Sequence, residues 1–322
     1  MKLTSLFNAF PPPKFLDIPF AGISISDSAV RCIQFGKKRG ALYIEKYTER
    51  PLAPGIVADG AINNQAELVN ILESLRKDLK LHHVKVSVSE EKAYLFTAKI
   101  PIVKDEEVFS AIESKIEENI PVPQTELIFD YRIFMHKEKN HLDVVVYALP
   151  IAVVNTYVET LQNAGLSLLS LEIESQVIAR ALLPKHDPTT TLIINFGPDK
   201  VGLYVARRRV VRFTSTIPLR GGVKGNEDAL LQEVKKLYMY WHSLKENADD
   251  PDHRIEHIVL CGENFGETIG PLLSSQLKAA VTTGNVWTNI FDINKKVPEI
   301  SFEDSLRYPA SIGIALTSEI LL

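Results

Sequence analysis

Two stretches of the chain share one pattern of apolar and turn residues. In residues 191–218 an apolar run is followed by a Gly-Pro-Asp turn, an alternating apolar segment, a basic turn and another apolar segment. This pattern predicts three short strands joined by two tight turns, with Arg207 to Arg209 as a solvated hairpin tip. Residues 20–47 show the same pattern, and a shift of 171 positions places Ser24 on Asn195. A unit that occurs twice predicts two related halves.

Apolar residues at helical spacing predict helices around the repeated unit. Residues 65–80 are the clearest case, because their apolar residues form one stripe with charged residues outside it. Helices are also predicted over 174–183, 226–247 and 304–322, the last with small residues that permit close packing. Since strands and helices alternate along the chain, we expect an α/β protein with two core sheets.

Residues 92–150 form a different pattern, which lies between the two repeats. A strand over 95–100 precedes a helix over 105–120. Two strands, 126–135 and 142–149, follow the helix. This order predicts a compact α+β insert in which one helix packs against three strands.

Composition and charge exclude several classes of protein. The chain has 322 residues, of which 45% are hydrophobic and 24% charged, and its formal net charge is −4. These values are ordinary for a globular protein and give no electrostatic reason to expect a nucleic acid partner. Both cysteines, Cys32 and Cys261, lie in apolar strand-like runs, so we expect buried thiols and no disulfide framework.

The N-terminal segment does not have the pattern of a targeting sequence. No apolar run is long enough to span a bilayer, and residues 1–20 lack the continuous apolar core of a signal peptide. We therefore expect a cytoplasmic protein. Residues 3, 6, 7 and 10 are apolar and lie at helical spacing. This leaves two alternatives, a short helix that docks on a partner or membrane surface and a tail that packs nowhere.

Five segments resemble, in their order along the chain, the motifs of one protein family. They are GISISDSAVR at 22–31, LAPGIVADG at 52–60, ENIPVP with a later Asp-Tyr pair at 118–131, AGL with the following helix at 164–182, and SIGIAL at 311–316. Their order resembles the actin-like ATPase fold and, within it, the type IV pilus assembly protein PilM family, which is related to the cell-division protein FtsA. The resemblance implies an α/β, actin-like (duplicated ribonuclease-H-like) fold with a small α+β insert (1C-type) and a truncated fourth subdomain.

The same resemblance divides the chain into subdomains. The expected division is an N-terminal tail (1–20), a first actin-like half (21–91, subdomain 1A), the inserted subdomain (92–150), a return to the first half (151–173), and a second half (174–322, subdomain 2A) with a reduced subdomain 2B at about 219–254.

Actin-like ATPases hold ATP and a divalent cation between their halves, and the resemblance assigns degenerate motifs to that site here. Ser24 and Asn195 stand where each hairpin turn should carry an aspartate for the hydrated cation. Ser26 replaces a glycine of the phosphate loop, and Arg31 replaces a lysine. Phe265 could either stack on a base or plug the adenine site. The implied nucleotide-site residues are Gly22, Ser24, Ser26, Arg31, Asn195, Gly197, Gly262 and Phe265.

These departures remove the anchors that metal-assisted hydrolysis needs. We therefore expect no catalytic residue, no metal site and no bound cofactor, with ATP and magnesium as the disfavoured alternative. The resemblance instead implies a cytoplasmic scaffold of a type IV pilus or related secretion machine, peripheral at the inner membrane.

The partner implied by the resemblance is a bitopic inner-membrane protein of the PilN type. Its N-terminal cytoplasmic peptide would bind in a groove between the first half and the insert, lined by Val86, Phe96, Ile128, Tyr131 and Val145. Other pilus or secretion components and self-association are further expected interactions, and membrane association would be indirect. Two alternatives stay open: an active actin-like ATPase that polymerises or cycles with ATP-Mg, and an FtsA-like membrane tether that uses residues 1–10.

Overall fold

The computed structural model describes residues 18–38, 41–135, 140–244, 247, 251–291 and 297–316. In chain order its elements are β1 (Ala21–Ile25), β2 (Ala29–Lys38), β3 (Ala41–Pro51), β4 (Val57–Ala58), β5 (Ala61–Ile62), α1 (Gln65–Leu79), β6 (His83–Val88), β7 (Tyr94–Pro101), α2 (Asp105–Asn119), β8 (Leu127–Met135), β9 (His141–Pro150), α3 (Ile151–Asn163), β10 (Ser167–Ile173), α4 (Glu174–Leu182), β11 (Thr190–Phe196), β12 (Lys200–Arg207), β13 (Val210–Pro218), α5 (Glu227–Ser243), β14 (Ile255–Gly262), α6 (Ile269–Gln276), β15 (Ala280–Thr283), α7 (Phe302–Ser305) and α8 (Pro309–Ala315). The N-terminal segment, residues 1–17, lies outside the described residues, so both alternatives for it remain predictions.

Two five-stranded sheets form the centres of the two halves. The strand order is β10-β6-β1-β2-β3 in the first sheet and β13-β12-β11-β14-β15 in the second, so the two sheets share one topology. In each sheet three strands form an antiparallel meander and two further strands are parallel to its first strand or to one another. The duplicated α/β fold predicted from the sequence is therefore confirmed.

The first turn of each meander closes with the same hydrogen bond. The Ser26 N–H donates to the Ala29 carbonyl at 3.0 Å, and the Gly197 N–H donates to the Lys200 carbonyl at 2.8 Å. The shift of 171 positions that places Ser24 on Asn195 also places Ser26 on Gly197 and Ala29 on Lys200. The internal repeat inferred from the sequence thus extends to single backbone contacts.

The insert is a three-stranded sheet of order β7-β9-β8, with α2 packed on one face. Its other face rests on the second half. The Tyr147 hydroxyl donates to the Val211 carbonyl at 3.3 Å, and the Thr97 hydroxyl donates to the Arg212 carbonyl at 3.3 Å. The insert therefore contacts the second half through these hydrogen bonds. It is also joined to the first half, because β9 continues directly into α3.

Helices α4 and α8 pack between the two sheets in one buried layer. Gly313 of α8 lies so close to α4 that a Cβ placed there would be 1.8 Å from the Val177 carbonyl oxygen. A Cβ on Gly22 of β1 would be 2.4 Å from the Ser311 carbonyl oxygen of α8. The close packing expected from the small residues near the C-terminus is confirmed. Up to residue 316 the helix predicted over 304–322 is instead two helices, because Pro309 occupies the first turn of a new helix, and residues 317–322 lie outside the described residues.

Residues 219–254 contribute one long helix, α5, and a short 3₁₀ turn (Pro251–His253) in the part of the chain that the structure describes. This small content fits the truncated fourth subdomain of the expected fold. Among the described residues, no helix is both long and apolar enough to cross a membrane. Both cysteines are free and buried, as predicted.

The basic turn between β12 and β13 differs from its prediction. Arg207 is 5% exposed, and its guanidinium donates to the Pro188 carbonyl at 3.1 Å and pairs with Asp252. Arg209 donates to the Leu183 carbonyl at 2.7 Å. Only Arg208 is exposed. The prediction of a solvated hairpin tip is therefore wrong for Arg207 and Arg209. Neighbouring loops supply hydrogen-bond acceptors for both side chains, and the sequence of the turn does not reveal them.

Candidate functional site

A cleft of about 430 Å³ lies between the two halves, where the β1–β2 turn faces the β11–β12 turn. Six of the eight nucleotide-site residues implied by the sequence line this cleft: Ser24, Ser26, Arg31, Asn195, Gly197 and Gly262. The two repeats therefore do bring their turns together at one site, as the resemblance implied.

Gly22 and Phe265 do not line the cleft, so their implied place in it is corrected. Gly22 is buried beneath α8, where the close approach of Ser311 explains the absence of a side chain. Phe265 lines a neighbouring cavity on the second half and stacks on Phe196, with ring centroids 4.9 Å apart. One face of the Phe265 ring is therefore already in contact with the protein.

Hydrogen bonds within each hairpin turn occupy backbone N–H and carbonyl groups of that turn. The Ser26 and Gly197 N–H groups close their turns, and the Ser26 hydroxyl donates to the Ala29 carbonyl at 3.1 Å. At the tip of the first turn, the Asp27 carboxylate accepts the N–H groups of Asp59 at 3.1 Å and of Gly60 at 3.3 Å. A fixed carboxylate thus lies beside the turn in which actin-like ATPases bind a phosphate.

Ion pairs cross the cleft at three places, one of which joins Arg307 of the second half to Glu49 of the first at 3.6 Å. Lys200 of the second half places its Nζ 2.7 Å from Asp27 Oδ2 of the first half, and it also pairs with Glu91. Arg31 of the first half pairs with Glu263 of the second. Sequence reasoning missed all of these except Arg31. Asp27 and Lys200 both adjoin hairpin turns of the repeat, and this position could have marked them as site residues. Nothing in the sequence near either residue indicates that the two side chains pair with each other.

Acidic side chains outnumber basic ones in the lining of the cleft. Its lining contains six carboxylates, on Asp27, Glu90, Glu91, Glu174, Asp199 and Glu263, but only three basic side chains, on Arg31, Lys200 and Arg307. Burial raises the pKa of Glu90 to about 7 and that of Glu174 to about 8. Since these raised pKa values favour the protonated, neutral form near pH 7, the other four carboxylates nearly balance the three basic side chains, and the cleft offers no net positive charge to a triphosphate.

The cleft does not fit the magnesium ion that accompanies ATP. Ser24 and Asn195 offer neutral oxygens where carboxylates are expected, whereas a hard divalent cation prefers anionic oxygen ligands. Across the described residues, no group of three or more His, Cys, Asp and Glu side chains is arranged to hold a metal ion. Three of the six carboxylates, those of Asp27, Glu91 and Glu263, pair with Lys200 or Arg31 instead.

A second concave feature, the insert groove, lies where the insert meets the first half. It encloses about 170 Å³, and its lining comes from β8, β9, β10 and α4: Ile128, Phe129, Asp130, Arg132, Tyr147, Leu149, Leu171, Glu172, Ile173, Gln176 and Arg180. Both β8 and β10 are edge strands of their sheets. Glu172 and Arg180 form an ion pair inside the groove.

Of the five groove residues implied by the sequence, only Ile128 lines the insert groove, where it is 51% exposed. Val86 and Val145 are wrong as lining positions because both are fully buried. Phe96 and Tyr131 are wrong because both lie opposite Val146 and pack on the insert core below α2.

The error on β8 is one of strand parity. Ile128 lies opposite Leu149, on the face turned away from α2. Since side chains alternate between the faces of a strand, every second residue from Ile128 shares its face. Asp130 and Arg132 accordingly line the insert groove and Tyr131 does not, although Phe129, which has the parity of Tyr131, also contributes to the lining. The alternation along β8 was the signal that could have found them.

Comparison with known proteins decides the family. Residues 22–219 match the family model described as "Type IV pilus assembly protein PilM". The chain belongs to the PilM family. Several solved structures share its fold, including the two that follow. A chain of the "PilM-PilN type IV pilus biogenesis complex" is 16% identical, with 95% of this chain and 99% of that chain covered and a TM-score of 0.79.

The second similar structure is the cytoplasmic domain of EpsL, described as an inner membrane component of the type II secretion system of Vibrio cholerae. It is 10% identical, with 91% of this chain and 94% of that chain covered, and its TM-score is 0.50. At these identities the likeness concerns the fold. Together with the two sheets of equal strand order, it supports the actin-like architecture expected of a PilM family member.

Proposed function

We propose that this PilM family member is a cytoplasmic scaffold of a type IV pilus or related secretion machine. It binds the N-terminal cytoplasmic peptide of a PilN-like inner-membrane protein, which holds it at the membrane indirectly. Family membership and the shared fold with a chain of a PilM-PilN complex support this proposal. The observation that carries it is the insert groove, which opens between two edge strands.

The chemistry of the insert groove suits an extended peptide. Edge strands present backbone N–H and C=O groups that a peptide strand can pair with, and side-chain pockets then set specificity. Ile128, Leu149 and Leu171 supply apolar contacts, while Arg132 and Asp130 are exposed charged residues at its rim. A peptide that alternates apolar and polar residues fits this arrangement.

Calorimetry with synthetic N-terminal peptides of co-encoded single-span membrane proteins tests the proposal. Ile128→Asp should weaken binding at least about tenfold, because it places a charge against the apolar part of the peptide. Ile133→Asp is the matched control, since Ile133 is an exposed residue of the same strand on the opposite face. The proposal fails if the wild-type protein binds none of these peptides, or if the two variants weaken binding equally.

Loss of ATP hydrolysis is part of the proposal and has its own test. Ion pairs cross the cleft, and Ser24 and Asn195 replace the carboxylates that position magnesium. Millimolar ATP-Mg should therefore leave the melting temperature unchanged. A stabilisation of about 2.7 kcal/mol, expected at a hundredfold excess over the Kd, would favour the active ATPase instead. Sedimentation of the protein with liposomes, with and without residues 1–10, would distinguish a membrane tether from the scaffold and from the active ATPase.

A further inference from the structure

In addition to the longer Arg307–Glu49 pair, two groups of shorter ion pairs connect the halves across the cleft, and their members come from distant parts of the chain. Lys200, in the second half, lies between Asp27 and Glu91 of the first half. Arg31, in the first half, pairs with Glu263 of the second. We refer to these five side chains as the cleft clasp. Both groups adjoin the turns that face each other in the duplicated fold.

The acceptors of the cleft clasp are fixed by further hydrogen bonds. Two backbone N–H groups, those of Asp59 and Gly60, hold the Asp27 carboxylate. The Ser89 hydroxyl donates to Glu91 in the same way. Because these carboxylates are already ordered, pairing with Lys200 costs little additional side-chain entropy.

Burial strengthens the cleft clasp further. The Lys200 side chain is 22% exposed and that of Arg31 is 7% exposed, so solvent screens their pairs less than it screens surface pairs. Burial alone would lower the pKa of Lys200, but hydrogen bonds to Asp27 and Glu91 outweigh it and raise that pKa. Lys200 therefore stays charged across the physiological range of pH.

We propose that the cleft clasp holds the two halves closed without a nucleotide, with the Asp27 carboxylate as the anion between the two hairpin turns. In an actin-like ATPase, a bound phosphate interacts with both turns at once. Here Lys200 of the second turn reaches Asp27 of the first turn directly. An incoming triphosphate must break this pair to contact both turns. The closed arrangement is thus a property of the apoprotein and does not report ligand binding.

A distance measurement between the halves tests this proposal. Spin labels on Ala53→Cys and Arg220→Cys, both exposed and one on each half, report the separation by pulsed electron resonance. The native thiols do not interfere, because Cys32 and Cys261 are buried and burial raises the pKa of Cys32 to about 12. In the labelled protein with an intact cleft clasp, the distance between the two spin labels should show one narrow distribution without nucleotide.

Lys200→Met keeps the length of the side chain but removes its charge. We expect a second, longer distance that accounts for more than roughly 10% of the molecules. Lys200→Arg keeps the cation and should retain the narrow distance. Lys236→Met is the control for loss of an ion pair, since Lys236 pairs with Glu233 inside α5 and crosses no cleft. It should leave the distance unchanged.

Glu263→Gln tests the second group of the cleft clasp on its own, and combined with Lys200→Met it should open the cleft further. Circular dichroism first shows that each variant is folded, and Asp27→Asn replaces Lys200→Met if the latter is not. The proposal is overturned if the double variant keeps the narrow wild-type distance. It is also overturned if the protein with the intact cleft clasp shows both the short and the long distance without nucleotide and shows only the short distance once ATP-Mg is added.

Discussion

Gly313→Ala probes the contact on which the layer between the two sheets depends. A Cβ at this position would lie 1.8 Å from the Val177 carbonyl oxygen and 2.5 Å from its carbon. Both atoms belong to the backbone of α4, so no side-chain rotation relieves the clash. Helices α4 and α8 must move apart, and the hydrogen bond from Arg180 to the Gly313 carbonyl, now 3.2 Å, must lengthen.

The size of the effect follows from two opposing contributions. Alanine is favoured over glycine inside a helix by about 1 kcal/mol. Overpacking a buried contact costs about 1–3 kcal/mol, and more where backbone must shift. Since this clash is with backbone, we take a cost at the upper end of that range and expect a net loss of about 2 kcal/mol in the free energy of unfolding, or a melting temperature lower by roughly 3 °C for a chain of this length.

Urea denaturation followed by circular dichroism measures this loss, and Gly270→Ala provides the control. Gly270 also lies in a helix, but its added Cβ would be 3.6 Å from a Leu260 methyl group, which is an ordinary contact. Gly270→Ala should be neutral or slightly stabilising. If Gly313→Ala is as stable as Gly270→Ala, the close approach of α4 and α8 is not present in solution.

Two further predictions concern buried charges. Because burial raises the pKa of Glu90 from 4.5 to about 7, the folded protein retains a proton that the unfolded chain releases, and stability falls as pH rises through this interval. Glu90→Gln should remove on the order of 3 kcal/mol of that decline, at most, in urea titrations at about pH 5 and about pH 8. Arg207→Met should cost about 1.5–3 kcal/mol in thermal denaturation, since it removes bonds to Pro188 and Asp252. Arg208→Met, at the exposed neighbour, should cost almost nothing, and equal losses would contradict the buried placement of Arg207.

The repeat was predictable because its evidence is local. Each strand-turn-strand segment carries its own pattern of apolar and turn residues, and the turn hydrogen bonds of Ser26 and Gly197 follow from that pattern. The insert was predictable for the same reason. All elements of this helix-and-three-strand module lie within one continuous segment, residues 92–150, so its pattern can be interpreted without the rest of the chain.

The site was less predictable because its contacts join distant residues. Lys200 and Asp27 are 173 positions apart, and Arg31 and Glu263 are 232 positions apart. No periodicity in either segment indicates that they meet. The groove shows a different limit: its location was implied by the resemblance, but the lining residues on β8 depended on strand parity, where an error of one residue moves every side chain to the other face.

Helix α4 serves the cleft, the insert groove and the buried layer at once. Glu174 at its first position lines the cleft, Gln176 and Arg180 line the insert groove, and Val177 contacts Gly313. A substitution in this helix will therefore disturb several measurements together, whichever one it was designed for. Genetic screens that recover α4 variants with weak partner binding would not by themselves locate the partner. Ile128 on β8 is a cleaner reporter, because it touches the insert groove and lies outside the cleft lining.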